Sequence, residues 1–109
     1  MKPTREQLEL AAKAAGIEIY LTKSTPDRVF YRLDICEEWR PTEDKSESFE
    51  LMVACGIDVE FNEAAGIVYT EKHSCCIRVF VDEDYNNDKG LATMWAIFLC
   101  AVEIGGAVR

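Results

Sequence analysis

Between Leu91 and Val108 the chain carries a single charged side chain, Glu103. Leu91, Met94, Trp95, Phe98, Ala101 and Val102 form one helical stripe, and Ile97, Cys100 and Ile104 form another at a different angle. A helix with so little polar surface must be enclosed on most sides. Either the rest of the domain wraps it, or part of it meets another chain. The apolar run from Leu91 to Val102 falls short of the roughly 20 residues that a bilayer span needs, so a soluble core helix is expected. Asn87 or Asp88 is its candidate N-cap, and Gly105-Gly106 is its candidate stop.

The stretch from Trp39 to Phe61 supplies the next constraint. Pro41 fixes its own φ and restricts Arg40, so Trp39-Arg40-Pro41 reads as an extended corner. Asp44 and Glu47 have the spacing of a capping box. Phe49, Met52 and Val53 follow at helical spacing, with Glu47 and Glu50 toward solvent, and Gly56 suits a left-handed helix end. Ile57, Val59 and Phe61 then alternate with Asp58 and Glu60, the period of a half-buried strand.

The remaining elements follow from similar signals. Thr4 and Gln7 make a capping box, Leu8, Ala11, Ala12 and Ala15 form a small-residue stripe, and Gly16 ends that helix. Ile17 to Leu21 and Val29 to Ile35 alternate as two strands, with a polar turn at 22–27. Residues 67–70 and 75–81 complete a meander with 57–61. The predicted order is α-β-β-α-β-β-β-α. This is an α+β single domain over residues 1–109, with a mainly antiparallel five-stranded sheet. The polar face of that sheet carries Tyr20, Phe30 and Phe80, which favours an α/β/α sandwich with the middle helix alone on one side.

Trp39-x-Pro41-x-x-Asp44, then Leu51, then Gly56-Ile57-x-Val59 resembles a pattern in the phage ABA sandwich domain family of small phage and prophage accessory proteins. Residues 9–16 resemble that family's opening helix, and Ala101 to Gly105 its closing helix. Little between Glu60 and Lys89 matches. The resemblance implies a sheet between helix layers. It carries over no catalytic residue, because no activity defines the family.

The formal net charge is −8, which opposes direct binding to nucleic acid or to an anionic membrane. Residues 34–60 alone hold nine acidic and two basic side chains. The five cysteines lack the spacing of a disulfide framework, and residues 2–7 are polar, so a reducing cytoplasm is expected.

His73 lies beside Cys75 and Cys76. That trio offers a Cys–His nucleophile or part of a metal site, although structural zinc wants four ligands. Its plainer reading is a surface histidine beside buried cysteines. Asp82, Glu83, Asp84 and Asp88 could gather a hard cation, but without the glycine and terminal glutamate of an EF-hand they read equally as a solvated loop. No catalytic, cofactor or metal site is therefore assigned. The expected function is binding of a host protein or complex with a basic surface, in the manner of an anti-CRISPR inhibitor whose carboxylates imitate phosphates. The candidate contact residues are Glu37, Glu38, Trp39, Glu43, Glu47, Asp82, Glu83 and Asp84. Two alternatives remain. One is a structural phage module that self-associates through the last helix; the other is a metal-dependent protein using His73.

Overall fold

A computed structural model describes residues 2–21, 28–32, 37–72, 74, 77–82 and 88–107. The helices are α1 (Arg5–Ala15), α2 (Lys45–Cys55) and α3 (Lys89–Ala107). The strands are β1 (Tyr20–Leu21), β2 (Val29–Arg32), β3 (Glu37–Glu38), β4 (Asp58–Asn62), β5 (Ile67–Lys72) and β6 (Ile77–Asp82).

The α+β class and antiparallel pairing agree with the sequence. The single five-stranded sheet does not form. Instead there are two three-stranded sheets, ordered β1-β2-β3 and β4-β5-β6. Alternation gives a strand its period but not its partner. β3 is only two adjacent glutamates and carries no apolar signal, yet it pairs with β2 through a register shift between Phe30 and Arg32. The Trp39 N–H, donating to the Val29 carbonyl at 2.8 Å, extends that pairing into the corner.

α3 is the hub. It packs against α1, α2, β5 and β6. Phe98, Cys100, Ala101, Ala96 and Ala92 are fully buried on it. Burying a side chain the size of Phe98 contributes about 1.5–3 kcal/mol. The helix is 19 residues long, longer than its apolar run suggested. By length and composition alone it could cross a membrane, contrary to expectation. In this fold ten of its 19 residues are buried, among them Trp95, Phe98 and Ile104. The Thr70 hydroxyl, itself fully buried, donates to the Ala96 carbonyl at 2.9 Å and ties α3 to β5.

The α/β/α sandwich is also corrected. α2 packs on α3 and α1, so it shares the helix side of the β4–β6 sheet. Among the described residues no helix covers the opposite face, where Phe80 is 57% exposed. The thinnest dimension is 19 Å, enough for one sheet and one helix layer about 10 Å apart but not for a third layer.

Helix ends follow the sequence closely. Thr4 and Gln7 form the full capping box, with bonds of 3.1 and 2.9 Å. Gly16 and Gly56 end α1 and α2 in the left-handed region at φ 69° and 66°. At α2 only half of the expected box forms. Asp44 accepts the Glu47 N–H at 3.0 Å, while the Glu47 carboxylate reaches back to the Arg40 N–H at 2.5 Å, bracing the corner instead of the cap residue.

The buried face of α2 differs from expectation. Ser48, Leu51 and Cys55 face inward, while Phe49 and Val53 are each 61% exposed and Met52 is half-buried. Two apolar stripes compete on this helix. The buried Pro41–Thr42 corner and a bond from the Lys72 ammonium to the Cys55 carbonyl hold the Leu51 stripe inward.

The Gly105-Gly106 pair does not stop α3, which continues to Ala107. Gly105 instead lets two backbones meet. A Cβ there would lie 1.9 Å from the Leu10 carbonyl oxygen of α1, whereas a Cβ on Gly106 meets nothing within 4 Å. Gly105→Ala should therefore destabilise the fold by about 1–3 kcal/mol or more through overpacking. Gly106→Ala should leave stability unchanged or raise it by up to about 1 kcal/mol. Denaturant titration of both variants checks the contrast.

Candidate protein-binding surface

The corner brings several of the expected contact residues together. Glu38 on β3 pairs with Arg28 at 3.0 Å, and the Arg28 guanidinium also lies 5.2 Å from the Phe30 ring centre. Glu43 meets Arg40 at 3.7 Å. Arg28, Arg40, Glu37, Glu38, Asp44 and Glu47 together line a shallow polar hollow of about 380 Å³. This part of the acidic band is thus interleaved with cations. Trp39 is only 4% exposed and joins the main core, so it acts as a lid and offers a partner little surface.

Asp82 lies elsewhere, at the end of β6 in the second sheet. Glu83, Asp84, His73, Cys75 and Cys76 fall outside the described residues. Among the described residues no group of three or more His, Cys, Asp or Glu side chains could hold a metal ion.

The two cysteines that are described lie in the core. Cys55 and Cys100 are both buried. Burial, the largest influence, pushes the Cys55 thiol from 9.0 up to about 11, against the opposing pull of the Lys72 ammonium. A thiol so protonated at neutral pH is a poor nucleophile.

Sequence reasoning placed Phe80 on the polar face of the sheet but expected a helix to cover it, and so missed that this face is open. Register places Asp58, Glu71 and Arg78 in one cross-strand row, Glu60, Tyr69 and Phe80 in the next, and Asn62, Ile67 and Asp82 in the third. Tyr69 and Phe80 stack with ring centres 5.5 Å apart. The Arg78 guanidinium bonds the Glu71 carboxylate at 2.9 Å and lies 5.8 Å from the Tyr69 ring centre. The Tyr69 phenol is held above the usual tyrosine range, first by its hydrogen bond to Glu60 and then by desolvation. The arrangement is an aromatic pair in a carboxylate-rich frame, on the face of the sheet away from the helices. Period-two alternation could have located it, had the absence of a second helix layer been foreseeable.

A second apolar feature lies between α2 and α3. Phe49, Met52, Val59, Met94 and Ile97 line an open groove of about 340 Å³. The Ser48 hydroxyl, on a residue that also lines it, is buried without a hydrogen-bond partner among the described residues.

No family model, curated protein or solved structure matches the chain.

Two outcomes are expected from this chemistry. Alkylation of the native protein at neutral pH, followed by peptide mapping, should leave Cys55 and Cys100 unlabelled until the fold is opened. Because the folded-state pKa of Cys55 lies above its ordinary value, the stability its protonated form contributes is complete below pH 9.0 and declines as pH rises toward about 11. A pH series of denaturation midpoints should show a decline there that is smaller in Cys55→Ala than in the parent chain. Separately, Ser48→Ala removes an unsatisfied buried hydroxyl and should be neutral or stabilising by up to about 1 kcal/mol in the same assay.

Proposed function

We propose that this chain is a small phage or prophage accessory protein that acts in the host cytoplasm by holding a protein partner with a basic surface, without catalysis. A host defence complex that normally grips nucleic acid suits that description, because spaced carboxylates can occupy positions where phosphates would sit. The observation that carries the reading is the open face of the β4–β6 sheet. Asp58, Glu60, Glu71 and Asp82 surround Tyr69 and Phe80 there, with Arg78 as the cation of the same face. Phe80 is 57% exposed with Tyr69 half-buried beside it, and aromatic side chains in a charged frame are typical anchors of protein interfaces. The net charge of −8 supports the same reading by favouring fast encounter with a basic partner. The Glu37–Glu47 corner contributes less to it than the sequence suggested, since Arg28 and Arg40 already engage its carboxylates.

Immobilised chain should capture a basic, nucleic-acid-binding protein from host lysate at low and moderate salt, and added nucleic acid should compete. Phe80→Ala combined with Glu60→Gln should lower that recovery about tenfold, as expected for loss of an interface anchor. Failure to recover a basic partner at either salt, or identical recovery by the variant, would sink the reading.

A further inference from the structure

Among the described residues β4 is an edge strand: it pairs with β5 on one side, and the sheet ends there. Its register with β5 runs from Asp58 to Asn62 without a shift, and the strand contains no proline. An edge of this kind is a template for another chain.

The two faces of β4 differ. Val59 lies opposite Thr70, whose hydroxyl reaches α3, so Val59 and Phe61 are on the helix side. Asp58 and Glu60 are on the open side, in register with Glu71 and Tyr69. A strand added beyond β4 would lie about 4.8 Å away. Its helix-side residues would then fall beneath α2, over the groove lined by Phe49, Met52, Val59, Met94 and Ile97. Phe49, at the rim of that groove, is 61% exposed, and Met52 and Val59 are half-buried. Ser48, also among the lining residues, is 2% exposed, and its hydroxyl has no hydrogen-bond partner among the described residues.

Charge selects the occupant. Pairing of β4 with a second copy in face-matched antiparallel register sets Glu60 against Glu60 or Asp58 against Glu60, where like charges directly opposite are unfavourable, or sets Glu60 against Asn62, which leaves only Glu60, Phe61 and Asn62 of the strand paired. The sheet itself shows the favoured alternative, since Glu71 on β5 faces Arg78 on β6 with a bond of 2.9 Å. Basic side chains on an added strand would repeat that pairing against Asp58 and Glu60.

We propose that the β4 edge and the α2–α3 groove together receive an extended segment of a partner protein as a fourth strand, with its apolar side chains in the groove and alternating basic ones beside Asp58 and Glu60. This rests on the reading of the chain as a binder of a basic protein, and it names the form in which that partner is held.

The test uses the full chain and synthetic peptides that alternate valine with lysine or valine with glutamate. The lysine peptide should bind, and alternate backbone amides of residues 58–62 should gain protection from hydrogen exchange. Phe49→Glu, at an exposed position, should weaken that binding at least about tenfold. Glu60→Lys should weaken the lysine peptide and strengthen the glutamate peptide. Equal affinity for the two peptides, binding without protection of β4, or no binding by the lysine peptide overturns the proposal. A dimer of the chain with protected β4 amides also overturns it, by assigning the edge to a second copy. If lysate capture depends on Phe80 while the peptides fail, only the strand-addition proposal falls. If the peptides bind as described while lysate capture fails, the basic-partner reading falls and the edge site stands.

Discussion

The fold depends on how closely α1 can approach α3. Gly105 places the α3 backbone against Leu10 of α1 with no space for a side chain. The alanine-rich face of α1, with Ala11 and Ala12 almost fully buried, supports the same short separation. This contact covers one side of α3. The β4–β6 sheet covers another, and Thr70 ties the two together through the Ala96 carbonyl. A helix with almost no charge is thereby made compatible with water through contacts inside one chain. Among the described residues the sheet has one helix layer to lie against, and Phe80 on its far face is exposed.

That arrangement sets what sequence could reveal. The caps at Thr4 and Asp44 and the stops at Gly16 and Gly56 were legible, because each depends on side chains or φ angles within a few residues. The burial of α3 was legible from its composition. The role of Gly105 was not: a glycine near a helix end looks like a stop, and only the position of α1 turns it into a contact. The same limit applied to α2. Leu51 and Phe49 are both apolar, and the braced corner before the helix and the Lys72 contact after it, not periodicity, decided which turned inward. β3 left no trace in an apolar pattern because Glu37 and Glu38 pair through their backbone.

The candidate surface was legible in its charge but not in its place. Counting acids drew attention to the band from Asp34 to Glu60. Folding divides that band: Glu38 and Glu43 meet arginines at the corner, while Asp58 and Glu60 pass to the open face of the second sheet. There they join Asp82, which lies far along the chain, through strand register alone. Trp39, flanked by charged residues, could read as a core lid or as an interface anchor, and its burial in the main core makes it the lid.

The exposed stripe of α2 and the open sheet face both follow from the single helix layer. α3 occupies the middle of that layer, over β5 and β6, and α2 lies beside it, with Met52 and Phe49 beyond the reach of the sheet's three strands. A wider sheet would bring another strand beneath α2; a second helix layer would cover Tyr69 and Phe80. The chain supplies neither among the described residues, and its carboxylates sit on the strand where widening would begin. Like-charge repulsion at Asp58 and Glu60 works against addition of a second copy, while the apolar groove behind them would reward a strand that sets basic side chains beside those acids. One edge would then discourage self-assembly and remain open to a basic partner. Both properties accompany the placement of α2 beside α3, where Phe49 and Met52 border the groove next to Val59 of β4.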